Sequence, residues 1–320
     1  MEGKQTAPVF FVSAVLCAIL CAIFPFAGFV TVIVLPAVFG VFLAASFSLP
    51  VALSPLPGIV IAGLLWRSPS VSVCGLVLLI PAAVLCVCLR KKSSASVITL
   101  AAAVSYAAVF ASALIAYALY NYGSLSAAAD ALVSFMSSYV DKLFAAATDA
   151  AADTAAGDAL SSLTEQISAD AYVRNLTMLM PGAFLAACEV LGYLLSHAAR
   201  LAIRILPVPI GLYPDKRNIS LPASAAVLFL LSFAVTMFSG DGVVYFAAEN
   251  LNTVLTPALF VVGLGAFAAM LRSAKTGKKA AFIIFLCILF FVYPAVAVYS
   301  VCAAGVISTI AEYFRRKRNG

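Results

Sequence analysis

One stretch of this 320-residue chain carries residues whose types and spacing suit chemistry: Glu189, Tyr193, His197 and Arg200. Steps of four, four and three residues keep side chains near one face of an α-helix. A carboxylate, a phenol, an imidazole and a guanidinium in that order could bind a polar group of a solute. They could also relay a proton between Glu189 and the chain's one histidine. The surrounding sequence is apolar, and a charge at the centre of a membrane helix costs roughly 2.5–3.5 kcal/mol on insertion scales. Such a residue needs a reason. The simpler reason is structural: a protonated Glu189 hydrogen-bonded to a neighbouring helix, with Arg200 and Arg204 reaching back to headgroups.

The elements that must position this face are membrane helices. Hydrophobic residues make up 64% of the chain and charged residues 10%, against about 45–50% and 25% in soluble domains. The mean hydropathy is +1.12. In water such a chain would expose more apolar surface than a monomer tolerates. This excludes a soluble globular enzyme, a nucleic-acid binder and a disordered protein. The net charge of +6 sits in short loops rather than on one face, so it reports topology, not nucleic acid.

Crossing the hydrocarbon core takes about 20 apolar residues, and the runs are too continuous for barrel strands. The sequence predicts an all-α polytopic bundle with eight spans, near 8–24, 27–47, 51–66, 71–89, 95–120, 175–206, 222–239 and 250–272. A last apolar stretch, 280–311, carries Pro294 at its middle and reads as one kinked span or a tight pair. Residues 1–24 read as a first membrane helix rather than a cleaved signal, since Cys21-Ala22-Ile23-Phe24-Pro25 breaks the small-x-small cleavage pattern. Three parts follow: helices within 1–120, an external segment 121–173, and helices with a basic cytoplasmic tail in 174–320.

Basic residues orient the chain. With the N-terminus cytoplasmic in a plasma membrane, the clusters at Arg90-Lys91-Lys92, Arg200 to Arg217 and Arg272 to Lys279 all fall inside. Arg67, Lys142 and Arg174 fall outside. The tail Arg315-Arg316-Lys317-Arg318 joins the inside clusters only if 280–311 crosses twice or turns back at Pro294, and this parity favours ten crossings.

The external segment from Asn121 to Val173 is rich in alanine and serine and holds seven acidic residues against one lysine. Leu132, Phe135, Met136, Tyr139, Val140, Leu143 and Phe144 still recur at helical spacing. A weaker stripe, Leu160, Leu163 and Ile167, follows Gly157. The segment is expected to be helical, lying on the membrane surface or over the bundle.

Signals for catalysis are missing. No phosphate-cradling loop, zinc-protease helix or nucleophile elbow occurs. A hydrolytic site built on Ser196 and His197 lacks an orienting partner. The eight cysteines fall in apolar runs without a Cys-x-x-Cys pair and read as small buried residues. We therefore expect no catalytic residues, no metal and no cofactor. Asp241 and Glu249 read as solvated loop acids. On the first helix Ala14, Ala18 and Ala22 repeat every four residues, a spacing that lets another helix approach closely.

The layout resembles the YybS-like family of bacterial polytopic membrane proteins, which have no assigned activity. The shared features are Phe24-Pro25-Phe26-Ala27-Gly28 with Leu35-Pro36, the long segment after span five, and Arg200, Arg204 with Leu206-Pro207-Val208-Pro209. Leu221-Pro222 and Gly305 before Glu312-Tyr313-Phe314-Arg315 complete the set. That family is distantly similar to the substrate-binding subunits of energy-coupling-factor transporters, which meet a transmembrane coupling subunit through an Ala-x-x-x-Ala surface. Ala14, Ala18 and Ala22 match that surface. The resemblance implies a subunit that binds a small molecule and takes energy from a partner. The alternative is a membrane scaffold or regulator that holds another membrane protein and transports nothing.

Overall fold

A backbone in lipid must bond its own N–H and C=O groups, and a helix does so within one segment. In the computed structural model every regular element among the described residues is an α-helix. The structure describes residues 30–46, 49–67, 69–151, 169–206, 221–240, 242–273, 283–284 and 287–319, with Val15 and Ile19. The alanine stripe of the first helix lies outside the described residues, as do Leu160, Leu163, Ile167 and Asp241.

Eleven helices carry the argument, numbered in chain order. They are α1 (Val30–Ala45), α2 (Leu49–Leu53), α3 (Pro55–Leu65), α4 (Pro69–Val77), α5 (Leu79–Arg90) and α6 (Ala95–Tyr122). There follow α7 (Leu125–Ala151), α8 (Ala169–Ile205), α9 (Ala223–Phe238), α10 (Val243–Ser273) and α11 (Pro294–Asn319).

Among the described residues five stretches are long and apolar enough to cross a membrane: Val71–Arg90, Ala95–Tyr122, Asn175–Ile205, Val243–Arg272 and Pro294–Arg318. Others expected to span are shorter: Val30–Ala45, Leu49–Leu65 and Ala223–Phe238. At 1.5 Å per residue they fall below the roughly 30 Å of a hydrocarbon core. Local chemistry explains several boundaries. Ser54 bonds back to the Val51 carbonyl at 2.8 Å, between α2 and a helix that starts at Pro55. The Ser94 hydroxyl caps α6 by accepting the Val97 N–H. Gly123 ends α6 at φ 72°, a left-handed conformation that favours glycine, and its N–H closes on the Leu119 carbonyl.

The predicted external helix is present as α7. It packs against both α6 and α8, which places it on the bundle. Its expected apolar stripe is divided: Met136 and Val140 are half-buried, whereas Phe135 and Tyr139 are exposed.

Two apolar cores form. The larger joins α1, α3, α5, α6 and α8 through Leu35, Phe39, Ile59, Leu85, Ile98, Tyr106 and Leu195. Much of α1 is buried within it. The smaller joins α9, α10 and α11 through Ala226, Phe229, Leu259, Cys302 and Val306. Helix α8 also packs against α10, linking the two groups.

Contacts within the second group fix the direction of α11. The Tyr299 ring meets Phe233, next to Ser232, which bonds Asn252. The Cys302 Sγ lies 3.7 Å from the Thr256 carbonyl, and Gly305 abuts the carbonyl of Leu259. Positions on α10 and α11 therefore rise together, so the two helices run parallel. The Phe290 ring, 6.3 Å from Phe260, sets residues 287–292 beside the middle of α10, and α11 begins at Pro294. Arg315 to Arg318 consequently sit at the same end of the group as Arg272, the arrangement that charge parity predicts when the stretch turns back at Pro294.

Candidate functional site

Helix α8 places Glu189 midway along its candidate span Asn175–Ile205. Here it meets α6 closely, because Gly192 has no side chain. A methyl built on Gly192 would lie 2.6 Å from the Thr99 carbonyl and 2.7 Å from the Ala103 amide nitrogen. Glu189 is half-buried, and its Oε2 is buried with no hydrogen-bond partner among the described residues. The Thr99 Oγ1, on the facing helix, is also buried without a partner. Leaving such an atom unsatisfied costs about 1–3 kcal/mol.

The four residues of the predicted face differ in burial and partners. Tyr193 turns toward His197, with its hydroxyl 3.4 Å from Nε2 and the ring centroids 4.3 Å apart. Tyr193 is half-buried, His197 is exposed, and Arg200 is half-buried. Eight residues advance a helix by two turns plus about 80°. That drift carries His197 out of the face on which Glu189 is held. Ser196 is buried while His197 is exposed.

Two interior prolines reveal polar partners that periodicity did not. Pro36 has no N–H to give the carbonyl of Val32, one turn earlier in α1. The fully buried Tyr106 of α6 donates its hydroxyl to that carbonyl at 2.6 Å. Pro181 similarly interrupts α8. The next backbone pair in that helix is the Gly182 N–H and the Met178 carbonyl. The side-chain amide of Asn250, from α10, bridges them: Gly182 donates to Oδ1 at 2.7 Å, and Nδ2 donates to Met178 at 2.8 Å. Nδ2 also donates to Phe246 of its own helix. A side chain at residue 182 would strike this amide, 2.5 Å from Oδ1. Pro36 itself signals the first partner, since a proline inside a membrane helix frees the carbonyl four residues before it; Asn250 instead bonds the backbone pair that follows Pro181.

Among the described residues no group of three or more His, Cys, Asp or Glu could hold a metal ion. The arrangement around Glu189 offers acceptor oxygens in an apolar setting. That suits a hydrogen-bond donor or a cation.

A family model described as "Predicted membrane protein (DUF2232)" matches residues 11–308. The chain belongs to this family. The DUF2232 match spans both helical groups, so Glu189, Pro181 and Asn250 all lie within it. No curated protein and no solved structure matches the chain.

Proposed function

We propose that this DUF2232 protein is a solute-binding membrane subunit of the transport type, with Glu189 holding a hydrogen-bond donor or cationic group. The observation that carries the reading is the buried, unpartnered Oε2 of Glu189 at the midpoint of a candidate span. Buried acceptors are rarely left without a donor, and intramembrane acids commonly mark solute or ion pathways. The resemblance to energy-coupling-factor substrate subunits supports the same reading. The sequence carries no phosphate-cradling motif, so on this reading a partner or an ion gradient supplies the energy. Ala14, Ala18 and Ala22 are the proposed contact for that partner, and Tyr193, His197 and Arg200 the proposed inner continuation of the solute path.

Native mass spectrometry of the protein extracted gently from its membrane tests this. The expected result is one small molecule bound per chain, lost or reduced in Glu189→Gln. A protein partner without any small ligand, held through Ala18 and released by Ala18→Leu, would overturn it in favour of a scaffold.

A further inference from the structure

The group formed by α9, α10 and α11 holds a second set of polar residues, apart from Glu189. Tyr245, Glu249 and Asn252 follow one another at four and three residues along α10 and share a face. Ser232 of α9 bonds Asn252 at 2.5 Å, and both are buried. Next to Ser232, the Phe233 ring packs 5.8 Å from the ring of Tyr299 on α11. Tyr245 and Glu249 are half-buried and Tyr299 is 45% exposed, so the set is open on one side and floored by the Ser232–Asn252 bond. Glu249 and Tyr245 are both close enough to Tyr299 to act on it electrostatically.

Glu249 supplies a carboxylate to this set, and Phe233, Tyr245 and Tyr299 supply ring faces. The Ser232 hydroxyl donates to Asn252 Oδ1 and lies 3.0 Å from the Phe229 carbonyl, which fixes the floor. Among the described residues the Glu249 carboxylate has no ion-pair partner. Arg272 and Arg315 to Arg318 lie at the far end of the group. A carboxylate and the faces of two tyrosines and a phenylalanine attract a cation by charge, hydrogen bond and ring quadrupole together.

We propose that Tyr245, Glu249 and Asn252 of α10, with Phe233 and Tyr299, form a second binding site, for a small organic ammonium ion. This site is independent of the solute-binding role assigned to Glu189.

Saturation-transfer NMR of the full chain in nanodiscs tests it, with tetramethylammonium and ethylammonium as probes and tert-butanol as the uncharged control. Both ammonium probes are expected to bind and tert-butanol not to. Glu249→Gln and Tyr299→Leu should each weaken binding about tenfold, whereas Tyr299→Phe, which keeps the ring, should stay within about threefold. Retained binding in Tyr299→Phe also reports an intact fold. Absence of binding, equal binding of tert-butanol, or indifference to Glu249→Gln and Tyr299→Leu would overturn the site. Loss of binding in Glu189→Gln alone would also overturn it, and would place the cation at Glu189 instead.

Discussion

Asn250 bonds the backbone of another helix at two points: its Oδ1 accepts the Gly182 N–H at 2.7 Å, one residue after Pro181. Its Nδ2 donates to the Met178 carbonyl at 2.8 Å. An interior proline costs a helix about 3 kcal/mol, and in lipid no water can take up the freed groups. The Asn250 amide bonds the backbone pair that follows Pro181. It also ties α10 to the helix that carries Glu189.

The clamp predicts coupling between Asn250 and Pro181. Asn250→Leu should destabilise the protein by about 1–3 kcal/mol, because it leaves two backbone groups unsatisfied. In a Pro181→Ala background α8 can close its own bonds, and the same change should cost less than half as much. A double-mutant cycle of unfolding in detergent measures the difference. Equal costs in both backgrounds would remove the clamp from the account.

The bond from Tyr106 to the Val32 carbonyl makes a parallel case. Tyr106→Phe keeps the ring in its fully buried place and deletes only the hydroxyl. We expect a loss of about 1–2 kcal/mol, and its relief by Pro36→Ala, since residue 36 then donates to Val32 itself. A Tyr106→Phe protein with an unchanged melting temperature would show that this carbonyl finds another donor.

Glu189 should behave as a residue kept for binding rather than for stability. An unpartnered buried oxygen destabilises the fold, so Glu189→Leu is expected to be neutral or to stabilise by about 1 kcal/mol. The same variant should lose its small-molecule adduct. A strongly destabilised Glu189→Leu would mean that the carboxyl has a structural partner, and would count against the proposed function.

The parallel course of α10 and α11 predicts a shared side for their ends. In a cysteine-free background, Arg272→Cys and Lys317→Cys should react with an impermeant maleimide from the same face of sealed vesicles. Gly240→Cys, at the opposite end of α10, should react from the other face. Reaction of residues 272 and 317 from opposite faces would require α11 to run antiparallel to α10.

The tight places between helices were less visible in sequence than the polar ones. Gly192 is one glycine among eighteen. Only the carbonyl of Thr99 facing it explains why no side chain fits there. Glu189, in contrast, stands out in any reading, because an acid deep in an apolar run is costly wherever its helix turns.

What the sequence by itself determined is local and one-dimensional. Long apolar runs specify membrane helices, and the basic clusters predict which ends lie together. Periodicity defines a face of a single helix but not its rotation against neighbours. For that reason Glu189 and His197, predicted as one row, lie in different surroundings. The rest depends on residues far apart in the chain. Asn250 reaches Gly182 across 68 positions and Tyr106 reaches Val32 across 74. The carbonyl freed by Pro36 can be inferred from the proline alone, but which helix supplies its donor is set only when the bundle packs. The direction of α11 likewise follows from its seat against Thr256 and Leu259, a choice made by tertiary contact and not by hydropathy.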